Sequence, residues 1–243
     1  MVADLHIHTC LSPCGELTMS PRRIVEEALR RSITWIAVAD HNTASMTDAV
    51  AQAAAESGIE FLYGIELQTR EEVHLLAYFD TSQACHRFAD AIYPLLPDRR
   101  NEPAYFGDQV CVDVDETILG VERKLLINSL DLGFEQAVDR VREYGGLPVP
   151  AHADREAFGL IAQLGFVPED VRFDVVETVS GRLPEGFGDA AAMCSSDAHT
   201  PEDIGRRTTR FHVEACTIEE VILAARGLHG RSMTCCTEDR RTM

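Results

Sequence analysis

No stretch of this 243-residue chain approaches the roughly 18 uncharged apolar residues that a membrane-spanning helix requires. The N-terminus lacks a basic segment followed by an apolar one, and Asp4 and His6 interrupt what apolar character it has, which argues against a signal peptide. No membrane partner is expected, and a cytoplasmic location is the default. Basic charge is scarce: 22 Lys and Arg stand against 40 Asp and Glu, for a formal net charge of −18. That balance opposes non-specific adhesion to nucleic acid while leaving room for a small cationic pocket. Aromatic residues are few, with ten Phe and five Tyr, and no strip interleaves them with basic side chains as a single-stranded nucleic-acid track would. Internal repeats and low-complexity segments are lacking too.

What the chain does have is a composition 45% hydrophobic, enough to bury a core and to exclude disorder. Its length suits one large domain. The eight cysteines, at 10, 14, 85, 111, 194, 216, 235 and 236, form no compact framework and read as free thiols. Cys10 and Cys14 have the spacing that opens a C-x3-C-x2-C iron–sulfur motif, but the third position is Leu17, which argues against a cluster.

Apolar, β-branched runs alternate with helical patterns. Strands are expected at 2–8, 34–40, 59–67, 73–79, 147–152, 174–178, 191–196 and 210–213. Helices are expected at 21–31, with Ser20 as cap and Pro21 at the first position, and at 45–57, 82–96, 134–144, 156–164 and 217–228. The alternation predicts a parallel sheet with helices outside, open or closed into a barrel. One barrel domain is expected over residues 1–230, interrupted by an inserted hairpin and loops at about 97–130. The hairpin's turn falls near Asp115 and Glu116, and residues 231–243 read as a loosely held polar tail.

Six of the nine histidines fall at strand boundaries: His6 and His8 in "HIH", His41 in "ADH", His74 in "VHLLAY", His152 in "PAHADR" and His199 in "SSDAH". Asp40, Glu66 and Asp197 do the same. In α/β folds the carboxyl ends of strands converge on the ligand-binding face. Side chains at i and i+2 of a strand point the same way, so His6 and His8 can serve one ion. Imidazoles with carboxylates suit Zn, Mn or Fe. His86, His212 and His229 lie in ordinary helical or strand patterns and are read as bystanders.

These motifs, in this order, resemble the PHP (polymerase and histidinol phosphatase) domain family over about residues 2–205, and most closely its stand-alone bacterial metal-dependent phosphoesterases. The resemblance implies an α/β fold, a distorted (β/α)7 TIM-like barrel with two or three divalent ions at the strand carboxyl ends. It implies that His6, His8, Glu66 and Asp197 hold one ion, that Glu66 bridges to a second held by His74 and His152, and that His41 and His199 hold a third. Asp40, and by the same logic Asp4, would orient ligands from behind. The chain departs from the family at Pro13, where many members carry an aspartate. Glu16, three residues on, is the expected substitute, with Cys10 or Cys14 as the other groups that could reach the site.

The expected activity is hydrolysis of a phosphomonoester or phosphodiester by water activated at the metals, with no Ser or Cys nucleophile. Asp197 and His199 belong to the expected catalytic group. Arg155 is the expected phosphate-binding side chain and Arg182 a weaker one. The acidic net charge favours a phosphorylated small molecule, a nucleotide or a short oligonucleotide over a long nucleic-acid track. The alternative is a non-catalytic metal-binding regulatory or structural module.

Overall fold

The computed structural model describes residues 1–237. In chain order the elements are β1 (Val2–Ile7), α1 (Pro21–Arg30), β2 (Trp35–Val38), α2 (Thr47–Glu56), β3 (Glu60–Gln68), β4 (His74–Phe79), α3 (Ser82–Ile92), α4 (Pro103–Phe106), β5 (Val110–Val112) and β6 (Ile118–Val121). They continue as α5 (Phe134–Glu143), β7 (Leu147–Pro150), α6 (Leu160–Leu164), β8 (Val175–Glu177), β9 (Ala191–Met193), β10 (Arg207–His212), α7 (Ile218–Ala225) and β11 (Ser232–Thr237). Local chemistry starts the helices where it can. Pro21 opens α1 behind an extended Ser20, and the hydroxyls of Thr81 and Thr217 accept hydrogen bonds from the third amide on at the starts of α3 and α7.

Seven strands form one curled sheet in the order β11-β10-β1-β2-β3-β4-β7. Only β1–β2 and β2–β3 pair in parallel; β3–β4, β4–β7, β1–β10 and β10–β11 are antiparallel. In place of the expected distorted (β/α)7 barrel the described residues form a mixed, open half-barrel, with β8 and β9 as a separate parallel pair. The physical reason is loop length. Five residues join β3 to β4, far short of the dozen or so that a parallel crossover needs, so β4 must return antiparallel. The curl still gathers the strand ends: Ala153 N–H donates to Glu177 O (2.8 Å) and His8 N–H to Ala198 O (2.9 Å).

Strand alternation sorts the core into an inner and an outer layer. In β2, Trp35 and Ala37 pack inside the curl with Ala3, Leu5, Leu62, Tyr78, Val149 and Phe211, while Ile36 and Val38 pack outward against α1 and α2. The outer faces of β3 and β4 present Ile65, Leu67, Leu75, Ala77 and Phe79 to α3 and α5. Inside, the Tyr78 hydroxyl donates to Leu5 O across the curl (2.7 Å). The inner layer is dry and apolar, so the polar groups at its carboxyl-end rim sit on a rigid floor.

Two further differences from the sequence reading concern the last third. Helix α6 is limited to Leu160–Leu164 because Gly159 enters it in extended conformation. The segment after Arg231 is no loose tail where it is described: β11 pairs with β10 from Arg207↔Thr237 to His212↔Ser232, and Met233 packs against the inner core. Residues 238–243 of the expected tail lie outside the described part. Ending the chain after Gly230 would uncover the β10 edge and remove the packing of Met233. The expected result is a loss of about 2 kcal/mol, or ~4–8 °C in Tm; an unchanged melting curve would mean that β11 contributes nothing.

Candidate metal centre

At the carboxyl-end rim five of the six strand-end histidines meet around Glu66, and the sixth, His199, stacks on His8 with ring centroids 4.3 Å apart. Glu66 Oε1 lies 2.7 Å from His74 Nδ1, 3.2 Å from His152 Nε2 and 3.4 Å from His6 Nε2. Its Oε2 lies 3.1 Å from His41 Nδ1 and 3.4 Å from His8 Nε2. Asp197 Oδ1 completes the near side, 3.5 Å from His6 Nε2 and 3.3 Å from His8 Nε2. Glu66, Asp197 and the five histidines around them are buried.

In His6, His8, His74 and His199 the other ring nitrogen is already engaged, which fixes the tautomer. His6 Nδ1–H donates to Glu177 (3.0 Å). His8 Nδ1–H donates to the Ser12 hydroxyl (3.0 Å), which itself donates to Asp40 Oδ1 (2.6 Å). His74 Nε2–H donates to Gln68 Oε1 (3.1 Å) and His199 Nδ1–H to Asp197 O (2.9 Å). Lone pairs therefore face one another across the centre. His6 Nε2, His8 Nε2, His41 Nδ1 and Glu66 Oε2 are buried with no hydrogen-bond partner, a costly arrangement for a protein standing alone. The ring nitrogens of His6 and His8 lie 3.3–3.5 Å from carboxylate oxygens of Glu66 and Asp197, close enough for donors that share an ion. The donors fit divalent metal, and they fall into three groups: His6, His8 and Glu66; His41, Glu66 and His74; and His8, Cys14, His41 and His199.

Charge follows the same logic. Burial opposes ionisation of Glu66, but the imidazoles of His74, His6 and His41 outweigh it and hold the carboxyl well below its ordinary range. Asp197 behaves alike: burial is overcome chiefly by the neighbouring His6. Burial brings His74 down to about 4, whereas at His41 the neighbouring Glu66 and Cys14 outweigh burial and raise the imidazole to about 10. Left-handed backbone at Asn42, His152, Phe158 and Asp197 (φ 54°, 29°, 60° and 52°) lies next to these groups. Such conformations cost roughly 1–3 kcal/mol each and persist only where the surroundings over-determine them. At Asn42 the amide is tied down by Leu126 O and Asn128 O and accepts from Gln68 N; Phe158 stacks on His74 at 4.4 Å.

The structure thus brings together His6, His8, His41, Glu66, His74, His152, Asp197 and His199. Arg155 stands at the rim, with Nη1 2.6 Å from Asp197 Oδ2. Two expected residues do not join them. Glu16 is exposed and accepts from the Thr18 hydroxyl (3.0 Å), because the loop after Pro13 turns Cys14 toward the centre in its place. Arg182 lies in the "SGRL" turn and does not line the cavity. Cys14 lies between His41 and His199; burial raises its thiol, but those two imidazoles outweigh it and bring it to about 7. Asp40 orients His8 through Ser12, as a carboxylate behind a ligand should, whereas Asp4 accepts from Ser196 N and Gly205 N and pins the loop carrying Asp197. Glu177, Ser12, Gln68 and Phe158 escaped the sequence reading. Glu177 had a signal, an acid at the carboxyl end of an expected strand; the others became visible only through the fold.

Residues 4–128, just over half of the chain, match the PHP domain. The chain belongs to the PHP domain family. His152, Asp197 and His199 lie beyond the matched segment and join the centre through the fold. Among curated relatives, the 5'-3' exoribonuclease of Haemophilus influenzae is 35% identical over 69 residues, 28% of this chain and 24% of that enzyme. The chain thus matches about a quarter of that relative's length. Among solved structures, the lesion-specific endonuclease Q of Pyrococcus furiosus superposes with a TM-score of 0.73 at 20% identity, covering 99% of this chain and 59% of that one. Endonuclease Q in complex with a 27-mer duplex bearing an abasic lesion at its active site superposes at 0.68, with 20% identity over 96% of this chain and 58% of that one.

The last comparison corrects one expectation. Net acidity argued against a long nucleic-acid partner, yet a chain of this fold holds a 27-mer duplex. Net charge misleads because exposed charges are screened beyond ~8 Å, so the local field at the site decides.

If Glu177 sets the His6 tautomer, Glu177→Gln should weaken metal retention by ~10–100-fold while leaving the protein folded. Competition of the metal-loaded protein against a chelator measures this; unchanged retention would reduce Glu177 to a structural role.

Proposed function

We propose that this PHP protein is a metal-dependent phosphodiesterase acting on nucleic-acid backbone. The observation that carries the reading is the convergence of eight histidine, glutamate and aspartate side chains, with buried and unpartnered donor atoms, at the floor of an accessible cavity rimmed by Arg155. The cavity holds about 330 Å³ and is lined among others by Cys14, His41, Glu66, Gln68, Phe158 and His199. That is the lower end of the ~300–1,000 Å³ range of small-ligand sites, room for one nucleotide rather than a stack. Metals held by His6, His8, Glu66, Asp197, His74, His152, His41 and His199 would supply Lewis-acid polarisation of the phosphate and an activated water.

The chain's own groups supply the rest. Arg155 reaches the rim with Nη1 on Asp197 and Nε on Ala157 O, which leaves Nη2 for a phosphate oxygen. Phe158 offers an apolar face at the mouth, beside His74. His199 is half-buried at the edge, with Nδ1 committed to Asp197 O.

The insertion supports a nucleic-acid partner. Its Ile127 lines the cavity, and its Arg99, Arg100 and Arg123 are exposed and make no ion pair among the described residues. In so acidic a chain, three uncommitted guanidiniums on the segment that carries Ile127 are candidates for contact with a phosphate backbone.

The test is hydrolysis of single-stranded DNA, of RNA and of duplex with an abasic site by the metal-loaded chain, against a phosphomonoester panel. His6→Ala should abolish turnover. Arg155→Ala should lower kcat/KM by about 10²-fold, the scale set by loss of one charge-stabilising donor. Turnover of monoesters alone would overturn the nucleic-acid reading. Separately, replacing Arg99, Arg100 and Arg123 by Ala should weaken DNA binding and flatten its log–log salt dependence by ~0.7–0.9 for each phosphate the protein no longer neutralises. An unchanged slope, read by fluorescence anisotropy, would remove the insertion from the binding surface.

A further inference from the structure

We propose that Cys14 is a metal ligand, and that its thiolate, with the imidazoles of His41 and His199, makes one position of the centre selective for a zinc-class ion. The inference rests on the reading that the donor cluster holds divalent metal.

The geometry carries it. Sγ of Cys14 and one ring nitrogen each of His8, His41 and His199 lie within 4.8 Å of one another. Of these residues, His41 Nδ1 and His8 Nε2 are buried and without a hydrogen-bond partner. His199 Nδ1 is committed to Asp197 O, so Nε2 remains for the group. His8 and His41 stand between this position and Glu66, so three donors belong to it outright or nearly so, leaving a place for water or substrate, as in reactive zinc sites.

The loop is built to aim the thiol. Ser12 N–H bonds Thr9 O and Gly15 N–H bonds Ser12 O, two tight turns in succession. A Cβ on Gly15 would stand 2.5 Å from Thr9 O, so only glycine allows this path. Glu16 N–H then donates to His199 O (2.9 Å), tying the loop to the motif that carries His199. The carboxylate of Glu16 is left outside, on Thr18. Cys10, the other thiol of the opening motif, is spent elsewhere: it is buried and donates to Val110 O.

A sulfur among imidazoles changes which ion is held. Thiolate favours zinc and its soft relatives over magnesium and manganese, whereas the Glu66 and Asp197 groups offer oxygen and accept harder ions. The centre would then carry unlike metals. On binding, the Cys14 S–H bond breaks, a sulfur–metal bond forms and one proton leaves to solvent; no electron is transferred.

The probe is Co(II) added to the full chain. Wild type and Cys10→Ser should show sulfur-to-cobalt charge-transfer absorption in the near ultraviolet, and Cys14→Ser should lose it. Cys14→Ser should also release one metal equivalent more than about tenfold more readily to a chelator. In wild type, zinc should slow alkylation of Cys14 by iodoacetamide at least tenfold, read by peptide mass spectrometry; this arm stands even where Cys14→Ser fails to fold. A charge-transfer band that survives Cys14→Ser, or equal alkylation with and without zinc, overturns the proposal. Failure of the two readings is distinguishable. A cobalt–thiolate band without phosphodiester hydrolysis removes the activity and keeps the ligand; hydrolysis without the band does the reverse.

Discussion

The structure depends on one arrangement: a buried carboxylate, Glu66, encircled by imidazoles that are buried with it. Five ring nitrogens lie 2.7–3.4 Å from its two oxygens. Buried charge and unpaired donors are costly, so the surroundings must hold the groups against their tendency to relax apart. An outer ring does so. Glu177 serves His6 and also accepts from His152 N–H, Ser12 and Asp40 serve His8, Gln68 serves His74, and Arg206 donates to the carbonyls of Ser196 and Asp197. The left-handed residues at His152 and Asp197 show how far the backbone is bent to deliver these side chains.

The mixed sheet is a consequence of the same demand. Glu66 and His74 come from adjacent antiparallel strands, and the β3–β4 register pairs Gln68 with His74. A parallel crossover would have put β4 elsewhere and separated Gln68 from the histidine it orients. The short return from β3 to β4 therefore sacrifices barrel regularity and gains a tight cluster. Rigid apolar packing beneath, from Trp35, Tyr78 and Phe211, gives the rim a floor that does not yield.

Most of the ring of histidines was legible in the sequence, because a strand-end position is set by local period and the carboxyl ends must converge. Strand direction was not legible: apolar runs such as "HLLAYF" look alike in either sense, and only the loop length before them discriminates. The loop after His8 was legible in part. Its sequence shows that Pro13 offers no donor, but not which neighbour replaces it. Position in the chain favoured Glu16, whereas the turns around Gly15 leave Cys14 beside His8, His41 and His199. Glu177, Ser12 and Gln68 act through another residue's ring, and such partners have no spacing of their own relative to the ligand they serve. Residues 232–237 read as tail because an edge strand of mixed polarity carries little periodic signal; its partner β10 supplies the order.

The position of Arg155 joins the electrostatics of the centre to its substrate. Asp197 faces two ways, Oδ1 toward His6 and His8 and Oδ2 toward Arg155. A cation drawing on Oδ1 weakens the hold of that carboxylate on the guanidinium, and a phosphate arriving at the rim competes for the same guanidinium. Each event favours the other, since both relieve one overcommitted carboxylate. On the proposed reading, binding of metal and of phosphate would be coupled through Asp197 without any movement of the backbone, with a positive sign. The net charge of −18 does not oppose it. Within a Debye length of the rim the decisive charges would be this arginine and the ions held beside it, and in that way an acidic protein can present a site that attracts a polyanion.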